Sequence, residues 1–480
     1  MVNHFKYSCI LILLSFTAPL HSQNYHAIQG SSYAGSLGVS NNPAAISNTP
    51  YKWDVTILGG QLKYSTNIVT IYKYSLISKA SRSEYLINSG IYQRYGLMNM
   101  NLKLVNARYT LSRKHAVAAG INLRSYTQVV PSDYFFLDTV KSPNSFLRIN
   151  NPATLYQFNG VHSSWVEVFG TYARTLYEGG SGRLNLGLTL KVMRGISGAF
   201  STIENAGATP EGQGRPYVLT SGAAQIGYSS TYDTWKGNSS TTSNMQNFFS
   251  HSRGGFAFDI GAEYLIKSGA IATFNDPVDY YGYEWKIGLS VLDIGKNNFT
   301  YGVYSSAYSD PIPISDAALQ RKFRSIRSLP QLTDSLSTIA NNVSSLSGGF
   351  TVATPARMVL NIDRYLSGNF YINADLSLNF PALHPVTEVR ANEFNLFSVT
   401  PRWETNRLGF YLPILYNTKK RVWVGGAVKA GPLLIGIHNW GNIFSSKKMQ
   451  RGGGYFAIIV RPGQFFDGPG EKTFECPEPF

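Results

Sequence analysis

The sequence predicts an all-β chain: a transmembrane antiparallel β-barrel of about fourteen strands. Three observations lead there. Aromatic residues make up 14% of the chain, 31 of them Tyr, whereas charged residues reach only 14% against an ordinary ~25%. Apolar and polar residues alternate with period two from end to end, as strands with one lipid-facing and one lumen-facing side must. Short and long connections also alternate, as the two ends of an outer-membrane barrel do.

The chain opens with Lys6, an apolar run from Cys9 to Phe16, and Leu20-His21-Ser22 ahead of Gln23. That is the pattern of a signal peptide over residues 1–22. The apolar run is too short to cross a bilayer as a helix, and no later run of about 18 apolar residues follows. Past the leader only Cys476 is left, so no intrachain disulfide is expected. The formal net charge of +15 is scattered, which suits loops meeting anionic lipid and lipopolysaccharide rather than nucleic acid.

The clearest strand is Phe370 to Phe380, where Phe370, Ile372, Ala374, Leu376 and Leu378 alternate with Tyr371, Asn373, Asp375, Ser377 and Asn379. In the same way Leu184, Leu186, Leu188, Leu190 and Val192 alternate with Asn185, Thr189 and Lys191. Strands are expected near 51–73, 98–112, 114–128, 162–177, 183–198, 253–266, 283–296, 350–365, 369–380, 394–404, 406–416, 421–430, 433–444 and 453–462. Even parity puts both termini in the periplasm. Residues 216–231 are also strand-like; they read as an extracellular hairpin, although pairing them into the wall would give sixteen strands. The organisation is then a leader (1–22), a plug segment (23–50), the barrel (51–462) and a periplasmic tail (463–480).

Residues 31–47 are small, glycine-punctuated and free of charge, and they contain Asn42-Pro43-Ala44. Gly30, Gly35 and Gly38 permit turns that larger residues resist, and Pro43 fixes a dihedral and lacks a donor. The alternative is a plain leader with a turn at Asn-Pro. The segment resembles the amino-terminal plug of the FadL family of outer-membrane barrels. Gly255 to Tyr264 and Trp285 to Gly295 are similar to paired strand repeats of that family. Thr400 to Glu404, Phe410 to Pro413 and Gly431 to Gly436 more closely resemble a Bacteroidota family of outer-membrane proteins that is itself similar to FadL. The resemblance implies an outer-membrane, porin-like transporter that passes a hydrophobic small molecule through a plugged lumen, and the expected cargo is a small hydrophobic or amphiphilic molecule. Some FadL-like barrels are instead scaffolds for protein secretion or membrane assembly, which would imply a protein partner.

The interior departs from a greasy conduit. Arg124, Glu167, Lys191, Asp259, Glu263, Lys286, Arg357, Asp363, Asp375, Arg402 and Lys429 all fall on the inward phase, since facing lipid would be costly. They read either as an ion-paired network bracing the wall and plug or as substrate contacts, with Asp363, Asp375, Arg357 and Arg402 expected to brace one another.

No enzymatic motif stands out: G-x-S-x-G and H-E-x-x-H are absent, the histidines beyond the leader (26, 115, 162, 251, 384 and 438) are scattered, and Ser181 lies in a turn of glycines. No catalytic residue, metal site or cofactor is therefore expected, and a monomer suffices. Residues 314–349 carry Leu332, Leu336 and Ile339 on one helical face, fitting either a lid over the barrel mouth or a solvated helical hairpin.

Overall fold

The computed structural model describes residues 26–73, 83–136, 140, 142–150, 155–210, 217–235, 239–267, 274, 281–380, 389–393, 395–417, 421–444 and 449–462. The leader and the carboxy-terminal tail inferred from the sequence lie outside these residues.

Fourteen antiparallel strands close into a barrel. In chain order they are β1 (Trp53–Thr66), β2 (Gly96–Ser112), β3 (His115–Pro131), β4 (Tyr156–Glu178), β5 (Gly182–Pro210), β6 (Arg253–Ile266), β7 (Trp285–Thr300) and β8 (Arg357–Ser367). There follow β9 (Phe370–Asn379), β10 (Leu396–Glu404), β11 (Leu408–Tyr411 and Ile414–Asn417), β12 (Arg421–Val424 and Gly426–Ala430), β13 (Leu433–Ile437) and β14 (Arg451–Val460). Each pairs with its sequence neighbour, and β1 closes the ring by pairing with β2 on one side and β14 on the other. Closure removes the unpaired edges that an open sheet would present.

The burial pattern is inverted relative to a water-soluble domain. On β5, Leu188, Leu190 and Val192 are 44%, 50% and 65% exposed, while the intervening Thr189 is fully buried. Outward Leu, Ile, Val and Phe recur on almost every strand, and the polar residues between them face the closed interior. A wall apolar outside and polar inside matches lipid as its outer solvent. No helix among the described residues is long and apolar enough to cross a membrane.

Prolines interrupt two strands that the alternation reads as continuous. The expected strand 350–365 is Gly349–Ala353 followed by β8, with Pro355 between them, and β11 breaks at Leu412-Pro413. Proline cannot donate to the ladder. At the second break the Gly425 N–H donates instead to the Pro413 carbonyl at 2.7 Å.

One end of the barrel has mostly tight turns, and the other carries the long connections. There β5 runs on past the start of β6, and its upper part pairs with Tyr217–Tyr228. That strand pairs with Ser306–Pro311, which pairs with Ala340–Ser345. The raised strands stand beyond the barrel, so residues 217–228 leave the wall at fourteen strands. Helices α1 (Asp316–Phe323) and α2 (Leu329–Ser337) follow from the 314–349 segment and pack on the raised strands. Ile339 is buried there, with Leu332 and Leu336 half-buried.

Candidate functional site in the barrel lumen

Residues 26–50 form three short 3-10 turns, His26–Ile28, Gly35–Ser40 and Pro43–Ser47, within the ring of strands. Asn42 is extended, and its side-chain oxygen accepts the Ala44 N–H at 2.9 Å, capping the turn that Pro43 starts. Gly30 and Gly35 have φ of +72° and +56°, a region that disfavours side chains. A methyl group on Gly35 would lie 2.5 Å from the Asp54 carboxylate, which accepts the Ser36 N–H at 2.6 Å. Gly38 differs: its φ is ordinary, and the nearest atom to an added methyl is 3.5 Å away, so glycine is not required there.

Asn42-Pro43-Ala44 sits in a notch made by missing side chains. A Cβ on Gly187 of β5 would lie 2.4 Å from the Ala44 nitrogen, and one on Gly261 of β6 would lie 2.1 Å from the Asn42 side-chain oxygen. A third, on Gly288 of β7, would approach the Asn42 side-chain nitrogen to 3.0 Å. Gly187 and Gly261 are direct register partners. The Asn42 Nδ2 donates to the Ala262 carbonyl at 2.9 Å, and Ser290 Oγ donates to the Asn41 carbonyl at 2.7 Å. Sequence reasoning singled out Asn42, Pro43 and Ala44 but not their seat. The available signal was glycine at inward positions of three consecutive strands, where a backbone approaches closely.

The rest of the segment is held from several sides. Lys103 of β2 donates to Ser40 Oγ at 2.9 Å, and Arg357 of β8 donates to the Ser40 carbonyl at 3.1 Å. Arg108 of β2 donates to the Ile46 carbonyl at 3.2 Å and also to the Tyr51 carbonyl. Ser31 Oγ donates to Glu404 at 2.9 Å. Lys429 lies 4.6 Å from the centre of the Tyr33 ring and donates to the Thr405 carbonyl at 2.8 Å. Leu37 packs with Tyr411, Ala427, Leu434, Ala457 and Ile459, while Val39 and Ile46 pack with Ala116, Ala118, Phe169 and Ala173.

All eleven charged residues expected inside are buried. Arg124 meets Asp293 at 2.5 Å and Glu167 at 3.5 Å, and Lys191 meets Asp259 at 2.8 Å and Asp293 at 2.6 Å. These five link β3 to β7 across consecutive strands. The Arg124 guanidinium also lies over the rings of Tyr126 and Trp165, which stack on each other. Arg402 grips Asp363 at 2.6 and 2.7 Å and Glu404 at 2.8 Å. Lys286 and Glu263 are 3.9 Å apart.

The expected foursome separates. Arg402 and Asp363 pair, but Arg357 turns to Ser40 and to Glu393, 3.7 Å away. Asp375 accepts from Asn361 at 3.4 Å. The reason is height: Arg402 stands opposite Tyr371 and Arg357 opposite Asn379, each four residues along β9 from Asp375 in opposite directions, about 13 Å at the strand rise.

Asp54, Arg108, Asp293 and Glu404 belong to the interior and were missed. Asp54 and Arg108 form a fully buried pair at 2.6 Å. Asp293 escaped because β7 carries a bulge: its pairing with β6 shifts between Phe258 and Ile260, and Asp293 has φ +60°. An extra residue reverses the inward phase, turning Asp293 toward Arg124 and Lys191.

A second element enters from the long-loop end. Residues 389–393 join the wall at Ala353 and reach across the interior, where Asn99 of β2 donates to Glu393 at 2.7 Å. Asn392 donates to Gln128 of β3 at 2.8 Å. Ala391 is buried in a cluster with Tyr126, Trp165, Phe200 and Phe299. Arg357 therefore touches both inward elements, the amino-terminal segment and this loop. No group of His, Cys, Asp and Glu suited to a metal ion occurs among the described residues.

A closed fourteen-strand wall with an apolar exterior and a charged, occupied interior defines a transmembrane β-barrel. The chain belongs to a family of unknown function (DUF5723), whose sequence profile matches residues 43–437. No curated protein sequence matches it. Among solved structures, the chain is similar to the toluene transporter TodX of Pseudomonas putida, with 10% identity, 92% of this chain and 98% of that one covered, and a TM-score of 0.41. It is also similar to a FadL homologue of Pseudomonas aeruginosa, at 10% identity, coverages of 92% and 98%, and a TM-score of 0.39. The toluene transporter TbuX of Ralstonia pickettii matches at 10% identity, coverages of 89% and 94%, and a TM-score of 0.38.

Proposed function

We propose that the protein is an outer-membrane channel whose lumen is closed by residues 26–50 and opens, when that segment withdraws, to a small amphiphilic molecule. The observation that carries this reading is the distribution of charge. Residues 27–51 contain no Asp, Glu, Lys or Arg, while the buried ion pairs run from strand to strand or to Glu393. The segment can therefore leave without breaking an ion pair. Most of its polar contacts are hydrogen bonds that water can replace, each contributing about 0.5–1.5 kcal/mol net.

Withdrawal would uncover the apolar seats of Leu37, Val39 and Ile46 beside the charged wall. A ligand with an apolar part for those seats and a polar part for the charged wall suits them better than a hydrocarbon would. The test is to delete residues 30–47 and measure solute entry by liposome swelling. The folded deletion variant, identified by faster gel migration when unboiled and by recovery in the outer membrane, should be leakier than the parent. A folded variant with unchanged permeability would refute the closure.

A second reading, a non-transporting scaffold for secretion or membrane assembly, is favoured by the continuous ion pairing across β3 to β7 and by the loop at Glu393. It predicts a barrel that stays sealed after the deletion and co-purifies with a protein partner.

A further inference from the structure

The outer face of the wall carries a basic groove that the lumen does not use. Arg194 of β5 and Lys296 of β7 are exposed on the outward phase, and Arg253, the first residue of β6, is exposed at its end opposite Gly195. Their registers bring them together: Arg194 lies opposite Gly254, and Lys296 lies opposite Phe256, two residues further along the same strand. Arg253 donates through Nε to Thr300 at 2.6 Å. Arg194 and Lys296 make no ion pair or hydrogen bond with any described residue. Arg194 and Arg253 line a cavity of about 560 Å³ with Gly254 and Phe299 in its lining and no acidic residue there, and Lys296 stands beside it, opposite Phe256.

Its depth in the wall identifies the occupant. Immediately toward the short-turn end, Val192, Leu190, Phe256 and Ile260 are 65%, 50%, 52% and 51% exposed, the start of the apolar belt. Toward the long-loop end stand the exposed aromatic residues Trp235 and Phe249, residue types that favour the headgroup level. Arg194 and Lys296 thus lie where hydrocarbon gives way to headgroup, with Arg253 at the rim beside them. Unpaired guanidinium and ammonium groups at that level match a phosphate, which they bind through charge-assisted hydrogen bonds, and the strip beneath suits acyl chains.

We propose that this groove binds the phosphate of a phosphorylated outer-leaflet lipid of the lipid A class, with its acyl chains lying along Val192, Leu190 and Ile260. The proposal rests on the outer-membrane reading above, and it extends that reading to a defined lipid site. Gly254 offers a clean perturbation, because a side chain there meets nothing within 4 Å of its Cβ. A Gly254→Trp change fills the groove without touching the fold.

The full chain in non-ionic detergent is titrated with bisphosphorylated lipid A, with dephosphorylated lipid A and with inorganic phosphate, and bound species are counted by native mass spectrometry. Bisphosphorylated lipid should bind at least about tenfold more tightly than the dephosphorylated form, a difference of roughly 1.4 kcal/mol. That preference should disappear in Arg194→Gln/Lys296→Gln and in Gly254→Trp, each checked for folding by its unboiled gel mobility. Equal binding of the two lipids, or an unchanged preference in both folded variants, overturns the proposal. Equally tight binding of inorganic phosphate overturns it too, by making the groove a soluble-anion site. Binding is read in detergent, so failure of the outer-membrane reading would appear in cell fractionation and leave this titration interpretable.

Discussion

Replacing Gly187 by Val tests the seat of the amino-terminal segment without cutting it. The new Cβ would stand 2.4 Å from both the Ala44 nitrogen and the Pro43 carbonyl carbon, against an ordinary contact of about 3.5–4.0 Å. The wall cannot yield, because β5 is hydrogen-bonded along this stretch to β4 and β6. The segment must therefore shift by about 1 Å or more, straining the bonds from Asn42 to Ala262 and from Ser290 to Asn41. Overpacking of this kind costs about 1–3 kcal/mol. Charged to the seated state alone, that raises the unseated population about 5- to 150-fold, at roughly 1.4 kcal/mol per factor of ten. The barrel should not weaken, since Val suits a strand better than Gly does. Single-channel recording in planar bilayers should show more frequent openings, with heat-modifiable gel mobility as in the parent. Gly170→Val is the control, because Gly170 is on the outer face and an added Cβ there meets nothing within 4 Å. Parental conductance in a folded Gly187→Val protein, or an equal rise in the control, would show that the notch does not hold the segment.

Two further changes probe the wall and its link to both inward elements. Asp363→Asn removes one carboxylate from Arg402 while Glu404 stays at 2.8 Å. Urea unfolding should show a loss near the lower end of the about 3–5 kcal/mol expected for a broken buried pair. Neutralising Lys73, in the exposed pair with Glu84, should cost about 0–1 kcal/mol; equal losses would mean that the lumen solvates its charges as bulk water does. Arg357→Gln releases the Ser40 carbonyl and Glu393 together, so it should raise conductance by itself. With Gly187→Val its effect should be non-additive by more than about 0.5 kcal/mol, and strict additivity would show that the two residues hold the segment independently.

The strands were legible because the side-chain period of two is local, and a lipid-facing row cannot hide a charge. Leu184 to Val192 on β5 needed no knowledge of any partner. What escaped was set by distant chain or by a break in phase. The bulge on β7 turned Asp293 inward although the alternation up to Leu292 gave no sign of it. Asn42-Pro43-Ala44 was readable as a turn because its cap is internal. Its seat on Gly187, Gly261 and Gly288 was not, because those strands begin more than a hundred residues later and only closure brings them round. The ion-pair partners were hidden for the same reason: inward placement follows from periodicity, but the choice between Glu393 and Asp375 for Arg357 depends on a loop entering the barrel.

On the proposed closure, the balance of forces on the segment would reconcile a polar interior with a closed resting state. Its hydrogen bonds to Lys103, Arg108 and Arg357 guide position more than they hold it, since water competes for each. Retention comes from the apolar residues. Leu37 and Ile46 are fully buried, and each such side chain contributes about 1.5–3 kcal/mol. Burial of this size, about 3–6 kcal/mol for the two, is what must offset the conformational freedom the segment would regain on leaving. A ligand that shifts this balance must replace the burial that Leu37 loses among Tyr411, Ala427 and Leu434. A purely polar solute cannot do that, and a purely apolar one gains nothing from the charged wall it must pass. An amphiphile satisfies both requirements, so on the proposed closure the arrangement that would seal the barrel would also select the chemistry able to open it.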